Sequence, residues 1–362
     1  MSKVRPLVVR FGALGDMVIL TTLIRHLYAR FGEPVDIVSS GSWTRPLLET
    51  QPSVGRLYLL KSRRWPYHFS REQQRLVREL RARGPSATWL CDVDNGKVTR
   101  LLRWAGWRAN HYCDYQGLTD LPGLNQCDLF LRFAYRNPGV LGGEDLPLTA
   151  GDAYGAITVT TEQRADLVEW LAIHGLNDTP LLLVQVGNKR TMRRGARDRA
   201  SNSKYWPEEH WAAVLRGLRE RHPDCAILLL GVPRESALNQ DVLKLAAIPN
   251  GFDVANELPI GRLLALVERA EGMVSVDTGP AHVAAALNCP VVTLFGKMST
   301  DLYAPRSAKA RVECVTGRVN GEASMLGITP QAVLEAWDRQ RIGADLLSVD
   351  RLAADVAAVR TQ

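Results

Sequence analysis

Two short turns, Gly12-Ala13-Leu14-Gly15-Asp16 and Asp277-Thr278-Gly279-Pro280-Ala281-His282, stand near opposite ends of the sequence and carry residue types suited to a polar substrate. In the first, Asp16 opens a run whose apolar residues Val18, Ile19, Leu20, Leu23, Ile24 and Leu27 recur at helical spacing. A carboxylate therefore sits at a helix start. In the second, Pro280 suits the first turn of a helix, where a missing N–H costs little. The remaining N–H groups of such a turn face outward and can hold an anion. Together the two turns describe a substrate cleft.

Each turn needs a strand to aim it. Residues 6–11 are too short for a helix, rich in β-branched side chains and ended by Gly12, and residues 272–276 read as a buried strand. Ligands of open α/β sheets collect at the C-terminal edges of such strands. A plainer role competes at both places, because aspartate also serves simply to cap a helix.

Strand-like and helix-like segments alternate through both halves. Strands are expected at 6–11, 35–39, 54–59 and 87–92, with helices from Asp16 to Phe31, at 44–50, over an arginine-rich stretch, and at 97–105. Residues 137–152, rich in Gly and Pro, read as a boundary region. The second half alternates again, with strands at 181–186, 226–230, 273–276 and 290–295, the last closing the sheet. Two amphipathic helices follow at 330–338 and 346–360, with no strand to pair with, and are expected to fold back as a brace between domains. The fold class is thus α/β with two domains, 1–155 and 156–340, and a bracing tail at 341–362.

Composition narrows the function. A chain of 362 residues with 46% hydrophobic and 23% charged residues is ordinary globular material for two domains. No apolar run reaches membrane-spanning length, because Arg10, Asp16 and Arg25 interrupt the N-terminal stretch, and the same charges argue against a secretory signal. Six cysteines without a CxxC pair argue against a zinc or iron–sulfur site and read as reduced thiols of a cytoplasmic protein. The net charge of +7 is concentrated: residues 61–83 hold eight basic and two acidic residues, and 189–204 seven basic and one acidic. In the first patch Arg71, Arg75 and Arg78 share one helix face opposite Leu76, Val77 and Leu80, either as a solvated face or as a contact for phosphates or an anionic surface.

With these residues in view, the chain resembles the family 9 glycosyltransferases, the heptosyltransferases of lipopolysaccharide core assembly. The resemblance spans nearly the whole length and rests on Gly12-Ala13-Leu14-Gly15-Asp16, on Lys204-Tyr205-Trp206-Pro207-Glu208-Glu209-His210-Trp211, and on Asp277-Thr278-Gly279-Pro280-Ala281-His282 with Val292-Thr293-Leu294-Phe295-Gly296 after it. It implies a GT-B architecture, two Rossmann-like domains facing across a cleft. It implies transfer of heptose from ADP-heptose to a sugar hydroxyl of a phosphorylated lipid A-core acceptor, with inversion and without metal or cofactor.

Roles follow residue by residue from the resemblance. Asp16 falls where the family has its catalytic base. Lys204, before Trp-Pro, falls on the phosphate-contacting lysine, and Thr278, Gly279 and the amides after them would meet the diphosphate. Glu235 matches the acidic residue set against the nucleotide ribose, and Gly187 and Asn188 end a strand at the corresponding edge. Asp277 would face sugar hydroxyls, and His282 would donate to a phosphate oxygen or bond a backbone carbonyl. The acceptor side takes Gly15, Asp94, Lys97 and Arg100, the last two as contacts for acceptor phosphates or as plain surface. Asp92-Val93-Asp94 mimics a DxD metal motif, but it stands in the wrong domain for the donor.

Two stretches depart from the family pattern. The arginine-rich residues 189–199 are expected to be disordered without ligand and to serve as a lid or acceptor clamp, and 65–69 to dip into a membrane surface. The expected location is cytoplasmic, peripheral on the inner face of the membrane. A close rival is a GT-B transferase using another nucleotide-sugar or a protein acceptor. A nucleic-acid binder lacks an aromatic stacking platform beside its arginines, and a dinucleotide oxidoreductase lacks the third glycine of GxGxxG.

Overall fold

The computed structural model describes residues 4–61, 69–92, 96–115, 118, 123–148, 152–188, 190–191 and 196–341. Asp94, residues 65–68 of the expected membrane-dipping segment, positions 189 and 192–195 of the arginine-rich stretch, and the expected helix at 346–360 lie outside them. The chain divides into two compact units, Met1–Thr160 and Thr161–Gln362.

The N-terminal unit alternates β1 (Leu7–Val9), α1 (Leu14–Phe31), β2 (Val35–Ser39), α2 (Thr44–Leu48), β3 (Val54–Leu59), α3 (Arg71–Arg83), β4 (Thr88–Leu90), α4 (Gly96–Trp104), β5 (Tyr112–Asp114) and α5 (Gln126–Tyr135). Its five strands pair in parallel in the order β3-β2-β1-β4-β5. Helices cover both faces of such a sheet, which is why β1 is an unbroken apolar run with Leu7, Val8 and Val9 fully buried. α1 stops at Gly32, whose positive φ of 65° lets its N–H return to Tyr28 O at 2.8 Å. α3 starts at Ser70, whose Oγ accepts from Gln73 N–H. It buries Leu76, Val77 and Leu80 and turns Arg71, Arg75 and Arg78 to solvent. Its last turn is tied to the sheet by Arg83, whose Nε donates to the buried Asp36 at 2.5 Å.

The C-terminal unit continues with α6 (Thr161–Ile173), β6 (Leu181–Gln185), α7 (Glu208–Arg221), β7 (Ala226–Leu229), α8 (Ser236–Ala246), β8 (Gly251–Asp253), α9 (Ile260–Arg269), β9 (Gly272–Val276), α10 (Gly279–Ala286), β10 (Val291–Phe295), α11 (Thr300–Tyr303), β11 (Val312–Thr316) and α12 (Pro330–Arg341). Six parallel strands run β11-β10-β9-β6-β7-β8. Both sheets follow the Rossmann order, in which the strand sequence reverses direction beside the first strand. The reversal falls between β1 and β4 in one unit and between β6 and β9 in the other.

One expectation is corrected here. β10 does not close the sheet, because β11 pairs along its outer side. The first tail helix belongs to the C-terminal unit. As α12 it packs on α7, β10 and β11, and its Val333, Ala336 and Trp337 are buried in the C-terminal core. Trp337 comes so close to β9 that a Cβ at Gly272 would meet its ring at 2.8 Å.

Candidate active site

In the N-terminal unit the reversal point is occupied by charged side chains. Asp16 is on the first turn of α1, a third exposed. Its Oδ2 accepts from Ala13 N–H at 2.7 Å, so it is not the N-cap anticipated for it but the third helical residue reaching back to the N-cap Ala13. Its Oδ1 accepts from Arg10 at 3.2 Å. Arg10 follows β1 directly and also donates to Cys91 O at 2.6 Å, while its guanidinium lies 3.7 Å from Asp92. Burial alone would lower the proton affinity of Arg10, but the carboxylates of Asp16 and Asp92 beside it outweigh that and hold the group above the ordinary arginine value. Asp92 in turn accepts from Phe11 N–H with both oxygens, at 3.1 and 3.3 Å. Gly12 has a steric task, since a Cβ there would meet Asp16 Cβ at 2.4 Å. Trp43 Nε1 closes the turn from outside by donating to Gly12 O.

Gly15 is buried beneath this turn, and Lys97 and Arg100 lie one turn apart on the exposed side of α4, the helix that follows β4. Asp94 lies outside the described residues.

In the C-terminal unit the reversal point gathers residues from four separate stretches. Gly187 and Asn188 end β6, Glu235 follows β7, and Asp277, Thr278 and Gly279 follow β9. Lys204 joins them from the segment before α7. Its Nζ donates to Asp277 O at 2.6 Å and to Asp277 Oδ2 at 2.5 Å. That segment is well anchored: Trp206 is buried, donates to Ile328 O at 3.1 Å and packs edge-on against Trp211. Gly296 at the end of β10 permits the approach, because a Cβ there would lie 2.8 Å from Ser203 O.

Glu235 is buried, and the loss of solvation pushes its carboxyl up to about 7, against the smaller opposing effect of the Val232 N–H that it accepts. Its Oε1 also accepts from Gln185 Nε2 at 3.3 Å, and the same amide donates to Gly187 O at 2.8 Å. A side chain at Gly187 would press on Glu235 Oε1 and Leu238. Asn188 Oδ1 accepts from Arg190 N–H and from Asn202 Nδ2, and its own Nδ2 is buried without a partner among the described residues. Thr278 is the N-cap of α10, but its hydroxyl makes no cap bond and instead lies 3.4 Å from Ser275 Oγ. His282 lies on the first turn of α10 and is buried.

The described parts of the arginine-rich stretch correct the expectation of disorder. Thr191 is buried and its Oγ1 accepts from Asn188 N–H, and Arg199 pairs with Glu208 and with Asp241. Sequence reasoning passed over Arg10, Gln185 and Asn202. The first two left a signal, a polar residue ending an otherwise apolar strand; Asn202 left none.

A family model described as Glycosyltransferase family 9 (heptosyltransferase) matches residues 192–324. The chain is 25% identical to the lipopolysaccharide heptosyltransferase 2 of Salmonella typhimurium over 89% of this chain and 94% of that one. The solved structure of the Escherichia coli ADP-heptose lipopolysaccharide heptosyltransferase II superposes with a TM-score of 0.69 at 21% identity, covering 94% of this chain and 99% of that one. The E. coli heptosyltransferase WaaC with ADP gives 0.66 at 20% identity, over 93% and 99%. The fold is therefore the GT-B fold of these enzymes.

Proposed function

We propose that this chain, part of which matches the family 9 glycosyltransferase model and which is similar to the heptosyltransferases along most of its length, moves a heptose from ADP-heptose to a sugar hydroxyl of a phosphorylated lipopolysaccharide core acceptor, with inversion at the anomeric carbon. One observation carries this reading: Gly187, Asn188, Glu235, Lys204 and Asp277-Thr278-Gly279 converge where the C-terminal sheet reverses direction, the place where such sheets take nucleotides.

In this reading the donor's diphosphate lies against the first turn of α10, with Lys204 as a point charge and Asn188 Nδ2 as a further donor. As the bond from the anomeric carbon to the diphosphate breaks, the growing negative charge meets groups already in place. Glu235, as a carboxylate, accepts from the paired ribose hydroxyls, and Asp277 keeps Oδ1 for a sugar hydroxyl while Oδ2 holds Lys204. His282 stands behind them on α10. On the acceptor side Asp16 takes the proton from the attacking hydroxyl as general base. Gly15 keeps the backbone beneath it bare, and Lys97, Arg100 and Asp94 meet the acceptor, the two cations at its phosphates.

The basic face of α3 serves the lipid-linked acceptor's surroundings. Lys61, Arg71, Arg75 and Arg78, with Glu72 among them, line a groove suited to an anionic membrane surface, and in this reading the enzyme works at the inner face of the cytoplasmic membrane. No described helix is long and apolar enough to cross a membrane.

The test is calorimetric titration with ADP, UDP, GDP and NAD in chelator, repeated with Lys204→Ala, followed by transfer assays on core acceptors. Selective ADP binding that weakens in the variant supports the reading. A preference for UDP or GDP replaces the donor, and no nucleotide binding at all removes the proposal.

A further inference from the structure

We propose that Arg10 is a positioning residue for Asp16, and that Asp92 divides the guanidinium's charge between itself and Asp16. The inference rests on the reading of Asp16 as the base. Arg10 leaves β1 at the reversal point, with its side chain 14% exposed, and spans the gap between β1 and β4. One amino group holds Cys91 O at 2.6 Å at the end of β4; the other meets Asp16 Oδ1 at 3.2 Å. Two fixed points of attachment give the guanidinium one orientation, and thereby give the carboxylate one.

Asp92 competes for the same cation from 3.7 Å, but it is also pinned by Phe11 N–H, which keeps it from closing fully on Arg10. The groups acting electrostatically on Arg10 are Asp16 on α1 and Cys91 and Asp92 after β4, and the ring of Phe130 from α5 covers it at 6.0 Å without charge. The Cys91 thiol, fully buried, is pushed well above its ordinary value and stays neutral, so among the described residues the balance around the guanidinium is set by one cation and two carboxylates. A base paired this way is aimed at the acceptor side by geometry.

The two neighbours make opposite predictions. In Arg10→Gln kcat falls about 10-fold or more while KM for the donor stays within about twofold, and the acid limb of the pH profile of kcat/KM moves toward higher pH as the cation is removed from beside the carboxylate. In Arg10→Lys the limb returns most of the way because the charge is restored, but kcat recovers only partly because a point charge cannot span Cys91 O and Asp16 together. In Asp92→Asn, which still offers an oxygen to Phe11 N–H, the limb moves toward lower pH.

The profiles are measured on the full-length enzyme, with ADP affinity and melting temperature as checks on folding. Limbs that stay put, or that move in the same direction in Arg10→Gln and Asp92→Asn, overturn the proposal. Should Arg10→Gln fail to fold, the direction in Asp92→Asn decides alone. Asp16→Asn is run beside them: wild-type turnover in that variant removes the base reading itself, whereas loss of turnover with unmoved limbs removes only the role of Arg10.

Discussion

The two reversal points use one strand order for opposite chemistry. Between β1 and β4 the chain places two carboxylates around a single guanidinium, and both carboxylates also hold backbone N–H groups. Between β6 and β9 it places one ammonium on one carboxylate beside an uncapped helix start, with a buried glutamic acid nearby. The first arrangement suits accepting a proton; the second suits receiving an anion. The strand order fixes where a ligand goes, and the few residues after each strand fix what happens to it.

That contrast is broken most severely at Asp16. Asp16→Asn is expected to lower turnover by about 10²-fold or more with ADP affinity nearly intact, read by steady-state kinetics and calorimetry side by side. If ADP binding falls with it, the two edges are not separate in function. Gly12→Ala reaches the same carboxylate through sterics: the added Cβ displaces Asp16, and turnover should drop about 10-fold at unchanged ADP affinity. Lys204→Ala tests the other edge and should weaken ADP about 10-fold, leaving the acid limb of the pH profile where it was.

A smaller effect sharpens the donor side. Glu235 has its carboxyl raised to about 7, so the carboxylate that the proposed ribose contact needs fills only as pH rises; under that proposal ADP affinity should increase a few-fold from pH 6 to 8 and lose that dependence in Glu235→Gln. The sign for stability is the reverse. A carboxyl raised in the folded state binds more protons there than in the unfolded chain, so folding stability falls as pH climbs from the ordinary glutamate range to about 7, and the glutamine variant should melt without that slope. Chelator should leave transfer unchanged, the smallest effect in the series.

The long amphipathic helices and the buried apolar strands were legible because each carries its own period. β2 and β3 begin and end where their patterns do, and α1 ends at Phe31 as expected but starts at Leu14, two residues before Asp16. β5 and β8 have three residues each, too few for any period to show. β11 follows a Gly/Pro-containing loop, with a burial pattern set by its neighbour β10 and not by its own sequence. α12 shows an apolar face in sequence, but nothing local says that Trp337 will wedge under Gly272. Within the site, Asp16, Lys204 and Asp277 stood out by their positions after strands or before Trp-Pro. Their partnerships did not, since Arg10 meets Cys91 across 81 residues and Lys204 meets Asp277 across 73, and such encounters exist only after the strands have been ordered in a sheet.

The Lys204 ammonium carries three N–H donors, of which Asp277 takes two through a backbone and a side-chain oxygen. Under the proposed function, an arriving diphosphate gains a cationic contact without stripping the carboxylate of its counter-ion, and a departing one leaves no bare charge behind. Loading and release are then an exchange of oxygens around one nitrogen, a step with a small electrostatic barrier in either direction, as the proposed turnover of a nucleoside-diphosphate donor requires.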